Sequence, residues 1–205
     1  MKIKTAWHNT KHLPHSMLNA GFRPLSESDH FKSLEKCIKN CQGKTMIDIG
    51  CGLAEPYNAF GHLEYTGVDL PHMIQDVAIK NNPAANYISV DADETDFEFI
   101  KDYDIVLMNS FLSEMPSWYL TLNKILFQAR GDVVIHRQEI GDGPSHLEEY
   151  RTYASLVTYK SVINEEELNN IFLLNGFAVV LKEQSFDHST NQRTYLIRKD
   201  ISLES

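Results

Sequence analysis

Thr45-Met46-Ile47-Asp48-Ile49-Gly50-Cys51-Gly52 decides the reading of this chain. Met46, Ile47 and Ile49 form a short apolar run with one acid inside it, the pattern of a strand buried on both faces. The run breaks into Gly50 and Gly52, which let a backbone turn sharply and come close to a ligand. A turn of this kind feeds a helix whose free N–H groups face what is bound.

Upstream, Phe31, Leu34, Cys37, Ile38 and Cys41 recur at spacings of three and four. This predicts a helix over 28–41, capped by Ser28 with Asp29 in its first turn. Residues 1–25 read as an irregular arm. Trp7 in that arm is expected to pack back onto the domain as part of a lid. His8, His12 and His15 invite a metal reading, but Pro14 interrupts the helix that would align them, so no metal ligand set is expected.

Downstream, apolar strands alternate with helices. Glu64 to Asp69 reads as a second strand, followed by a helix over 71–82 that Pro71 can open. Asn86 to Val90 reads as a third, ending at Asp91, with a short helix expected over 94–101. Tyr103 to Met108 is a fourth, ending in Asn109 and Ser110. A helix runs from Pro116 to about Ala129, and a fifth strand, Val133 to Ile135, ends in His136 and Arg137. Gly141, Gly143 and Pro144 make a loop, and the stretch from His146 to Tyr159 is rich in Tyr and Glu. Asn164 caps a helix over 165–175. Phe177 to Leu181 and Thr194 to Ile197 then read as an antiparallel hairpin, because no helix fits between them. The expectation is one domain over 1–205, with the arm and first helix in 1–42 and the core in 43–198. The core is an α/β fold: an open, Rossmann-like, seven-stranded, mostly parallel sheet with a C-terminal antiparallel hairpin, helices on both faces and an N-terminal helical cap.

Composition narrows the function. The 205 residues carry a formal net charge of −9, which disfavours a phosphate-backbone partner, so no nucleic acid is expected. No apolar run reaches the roughly 20 residues of a membrane span. An odd set of three cysteines, Cys37, Cys41 and Cys51, and no secretory signal imply a reducing, cytoplasmic setting. All three read as small packed thiols. Oligomeric state has no signature in the sequence.

Ligands of open α/β sheets bind beyond the carboxyl ends of the strands. Asp48, Asp69 and Asp91 bring a carboxylate there from three strands in succession. A pyrophosphate would be repelled by acids at that turn. An ammonium group and ribose hydroxyls suit them, because carboxylates accept from both. S-adenosylmethionine has these features.

The motifs match that ligand. Met46 to Gly52 resembles the first motif of class I S-adenosylmethionine-dependent methyltransferases, with Ala54 where relatives have a third glycine. Gly67-Val68-Asp69-Leu70 resembles their second motif, whose acid binds the ribose. Val90-Asp91-Ala92-Asp93 resembles the third, which contacts the adenine. Tyr103 to Ser110 is similar to the fourth, and Asn175-Gly176-Phe177 to the entry of the sixth strand. The resemblance implies S-adenosylmethionine as cofactor, held by Asp48, Gly50, Cys51, Gly52, Asp69, Leu70, Asp91, Ala92, Asn109 and Ser110. Ala6-Trp7-His8 and Gly143-Pro144-Ser145 further resemble bacterial methyltransferases linked to surface-glycan functions.

Methyl transfer to a hydroxyl needs alignment and a proton acceptor. His136 is the first choice of base and Glu114 the second. Arg137, Tyr150 and Tyr153 are expected on the substrate side, with a small molecule or glycan as acceptor. Two other readings compete. A non-catalytic partner protein would keep the fold while losing cofactor affinity. An NAD(P)-dependent oxidoreductase would share Asp69 but leave Asp48 and Asp91 without a role, and Glu55 and Pro56 fit its longer glycine spacing poorly.

Overall fold

The computed structural model describes residues 5–8, 13–19, 21, 23–152 and 155–200. Its centre is a parallel sheet in the spatial order β3 (Asn86–Ser89), β2 (Glu64–Asp69), β1 (Thr45–Ile49), β4 (Ile105–Asn109), β5 (Asp132–Gly141). The chain starts in the middle, runs outward to β3, then crosses back past β1 to β4. The order therefore reverses between β1 and β4, and a crevice opens there beyond the strand ends. β9 (Ser189–Lys199) joins β5 antiparallel, and β8 (Phe177–Phe186) pairs antiparallel with β9.

The sheet is buried on both faces, which is why its strands read as unbroken apolar runs. Ile47, Ile49, Val106, Met108, Val133 and Ile135 face the helices Trp118–Gln128 and Glu165–Leu174. Met46, Ile105, Leu107, Val134 and Leu196 face the helix Phe31–Lys39 and its neighbours.

Two strands go beyond the seven expected. β6 (His146–Arg151) and β7 (Val157–Asn164) form an antiparallel hairpin, and β7 runs parallel to the far end of β5 at Ile140 and Gly141. Local details also differ. The helix expected from Ser28 begins at Phe31 after His30, and the Ser28 hydroxyl turns back to donate to the Leu25 carbonyl at 2.6 Å. The stretch expected as a helix over 94–101 is a single 3-10 turn, Glu98–Asp102. The helix after β2 runs from Pro71 to Asn81 but is π-helical over Ile74–Ala78. Asn164 caps its helix as expected, its side chain accepting from the Glu167 N–H at 3.1 Å. Among the described residues no helix is long and apolar enough to cross a membrane.

Candidate functional site

Left-handed backbone gathers where the parallel strands end. Gly50 and Gly52 adopt φ of 74° and 51°, and the non-glycine residues Ala54, Ser110 and Arg137 adopt 54°, 57° and 56°. A left-handed non-glycine residue costs about 1–2 kcal/mol, and such outliers persist where surrounding structure enforces them, commonly at functional sites. At Gly50 a Cβ would meet the Phe111 ring at 2.5 Å, and at Gly52 it would meet Met17 at 2.8 Å. Their positive φ strains any L side chain at both positions, and at Gly50 the Phe111 ring also blocks it. Ala54, at the place of the third glycine, pays the left-handed cost and buries its methyl completely.

The three acids sit in three different states. Asp48 is 1% exposed beneath the glycine turn. Its Oδ2 accepts from the Tyr65 hydroxyl at 2.8 Å, and its Oδ1 is buried with no partner. Burial pushes its carboxyl up to about 7, against the opposing hydrogen bond from Tyr65. Asp69 closes the turn from the next strand: it accepts from the Gly52 N–H at 2.9 Å and the Leu70 N–H at 2.7 Å. Burial raises its pKa, and those two bonds pull it back. Asp91, beyond β3, accepts from the Asp93 N–H at 2.9 Å and faces His8 Nε2 at 3.3 Å. Ala92 packs against the core, and Cys51 is buried with its sulfur toward Gly67, the small filler the sequence suggested.

The N-terminal arm crosses this edge. The Trp7 indole N–H donates to Glu114 Oε2 at 2.9 Å, and the Ala6 N–H to the Thr158 hydroxyl of β7 at 3.2 Å. His72 Nε2 meets the Trp7 carbonyl at 2.9 Å. Trp7, Met17, Leu53 and Leu70 pack together over the helix that follows β2. His8, Asp91 and Asp93 come close enough to hold a cation. The contacts just given, with the Ser117 hydroxyl donating to Asp93 at 2.7 Å, occupy these groups with one another. His12 lies outside the described residues.

Glu114 receives a second donor, the Tyr150 hydroxyl at 2.5 Å, on the same oxygen as Trp7. It thus fastens the arm and β6 together. Burial raises its carboxyl pKa against those two bonds. Tyr153 lies outside the described residues.

β5 breaks register against β9 between Ile135 and Gln138, and the left-handed Arg137 sits inside that bulge. A bulge re-aims side chains at a strand end. Arg137 is sent into a cavity of about 460 Å³ that also touches Gly50, Gly52, Asn109, Glu55 and His30. Its Nε donates to the Asn109 side chain at 3.0 Å, and no hydrogen bond among the described residues uses its terminal nitrogens. Ser110 donates its N–H to the His136 carbonyl at 2.8 Å, which holds the ends of β4 and β5 together.

His136 is 1% exposed and does not line this cavity. Both its ring nitrogens are engaged, Nδ1 with the Thr194 hydroxyl at 2.7 Å and Nε2 with His30 Nδ1 at 3.0 Å. His136 therefore presents no ring nitrogen to the cavity, whereas the ring of its neighbour His30 does line it. No local pattern marks His30: its environment comes from a strand 106 positions away.

No family model matches the chain, and no curated protein matches it. Solved structures do. An amino pentose methyltransferase of Micromonospora echinaspora, CalS10, aligns at a TM-score of 0.64 and 13% identity, over 89% of this chain and 96% of that one. S-adenosylmethionine-dependent methyltransferases of Mesorhizobium loti and Clostridium acetobutylicum align at 0.65 and 0.63. Their identities are 14% and 12%, over 85% and 95% of this chain and 100% and 99% of theirs. The chain has the class I methyltransferase fold.

Proposed function

We propose that this protein transfers the methyl group of S-adenosylmethionine to a small-molecule or glycan-type acceptor. One observation carries the reading: the glycine turn, Asp69 and Asp91 line one strand edge, and the same edge opens into the Arg137 cavity. The residues present fit the cofactor. The unpartnered Asp48 Oδ1 lies under the turn, Gly50 and Gly52 hold the left-handed backbone that glycine favours, and carboxylates suit an ammonium and ribose hydroxyls. When bound, S-adenosylmethionine supplies an activated methyl on a sulfonium.

The chain's own residues then have separate tasks. Asp69 offers its carboxylate to the ribose, and its bonds to the Gly52 and Leu70 N–H groups hold it in place. Asp91 and Ala92 would hold the adenine end. Asp48 sets the potential beneath the turn through its own protonation. Asn109 and Ser110 shape the floor between cofactor and acceptor. Arg137 presents its terminal N–H groups to an acidic group of the acceptor, the fork geometry that suits a carboxylate. Trp7, Glu114 and Tyr150 close the site against water and order the acceptor side. The likeness to CalS10, described as an amino pentose methyltransferase, supports a sugar-like acceptor.

The test is an acceptor screen with methyl-labelled S-adenosylmethionine. Label is expected in a small-molecule or glycan fraction, lost in Asp69→Ala, and biased away from acidic acceptors in Arg137→Gln. Label confined to nucleic acid, or label unaffected by Asp69→Ala, contradicts the proposal.

A further inference from the structure

The hydrogen bonds around His30 run through His136 and Thr194 to Ser33 and Ser185. The Ser33 hydroxyl donates to the His30 carbonyl at 2.9 Å, since a carbonyl only accepts. The Thr194 hydroxyl lies 2.9 Å from Ser185 Oγ and 3.3 Å from Ser33 Oγ, and either serine oxygen can accept from it. When Thr194 gives its proton to a serine, it accepts at 2.7 Å from His136 Nδ1–H. In that arrangement His136 Nε2 is bare and accepts from His30 Nδ1–H at 3.0 Å. His30 Nε2 then carries a lone pair with no partner among the described residues, and His30 lines the Arg137 cavity.

We propose that His30 is the catalytic base of an O-methylation of hydroxylated acids, and that His136 and Thr194 are the positioning residues that hold it in the base-competent tautomer. This rests on the methyl-transfer reading above. In the step, an acceptor oxygen forms a bond to the methyl carbon while the carbon–sulfur bond breaks and its electron pair stays on sulfur. The hydroxyl proton passes to His30 Nε2 and from there to water. The acid group of the acceptor pairs with Arg137.

The charges facing His30 fit this. Arg137 and His136 approach it from β5, while Arg23, Asp29 and Glu55 line the same cavity. Burial first, and the Arg137 charge second, push its imidazole down to about 4. It is therefore neutral at pH 7. A base this weak suffices because a hydroxyl becomes strongly acidic as its oxygen takes the methyl. An anionic acceptor on Arg137 offsets part of the depression.

The test has two readouts. Imidazole 15N NMR of the full chain at pH 7 is expected to show His30 protonated at Nδ1 and bare at Nε2, with that preference lost in Thr194→Val. Methyl transfer to a panel of hydroxy acids and sugar acids is expected to fall about 100-fold or more in His30→Gln, with S-adenosylhomocysteine affinity within twofold. Its acid limb should lie below the ordinary histidine range of about 6.5. Wild-type protein that binds no S-adenosylhomocysteine overturns the methyl-transfer reading beneath this one. Retained binding overturns His30 alone if His30 carries its proton on Nε2, if His30→Gln turns over like wild type, or if no hydroxy acid is methylated.

Discussion

Replacing Asp48 by Asn should stabilise the fold and cost ligand affinity. Asp48 is almost fully buried, holds one hydrogen bond from Tyr65 and leaves Oδ1 without a partner. Desolvation, opposed by that bond, raises its carboxyl from 3.8 to about 7 in the folded state. Below the lower value both folded and unfolded chains hold the proton, and nothing is lost. Between the two, only the native state holds it, so stability falls as pH rises, by about 1.4 kcal/mol per unit. Above about 7 the native carboxyl ionises too, and the loss is complete at about 4 kcal/mol, an upper bound. Asn removes the ionisation while keeping a carbonyl for Tyr65. Exchanging a charged acceptor for a neutral one returns roughly 1 kcal/mol. Urea unfolding at pH 8 should therefore show Asp48→Asn more stable by about 2–3 kcal/mol, with the gap closing towards pH 4. A variant no more stable than wild type at pH 8, or a gap independent of pH, refutes the reasoning.

Other perturbations follow from single contacts. Asp132 is 1% exposed and receives Arg198 at 2.6 and 3.1 Å and the Gln42 N–H at 2.6 Å. Arg198→Met should cost about 2–3 kcal/mol in urea unfolding, less than a wholly buried pair, because Arg198 is partly in water. Gly131→Ala would drive a Cβ into the Asp104 backbone, while Gly143 has open space around it; melting should show the first as grossly destabilised and Gly143→Ala as near wild type. Trp7→Phe and Tyr150→Phe each remove a donor to the same Glu114 oxygen. Each should raise amide exchange across residues 6–8, and the double variant should fall short of additivity.

The parallel core was legible because its chemistry is local. β1 is an apolar run that breaks at Gly50, β4 one that ends at Asn109, and β2 ends at Asp69, while Asn164 and Pro71 mark helix starts by their own side chains. β6 was not, because His146-Leu147-Glu148-Glu149-Tyr150-Arg151 leaves nearly all its residues in solvent. With no buried face there is no alternation to read. β5 runs to Gly141 rather than stopping at Ile135, since a bulge lets it continue past His136 and Arg137. The bulge also decides the site. It turns His136 into the interior and Arg137 into the cavity, and no spacing rule distinguishes those neighbours. His30 is further still from any local signal, because its ring is held by His136 and, through it, by Thr194, both far away in the sequence.

Calorimetric titration with S-adenosylhomocysteine, with NAD(P)H in parallel and Asp69→Ala as control, tests the central claim most directly. A dissociation constant near 1 μM, about 8 kcal/mol, with clear loss in Asp69→Ala and no heat from NAD(P)H, is the predicted result. NAD(P)H binding without S-adenosylhomocysteine binding would contradict it.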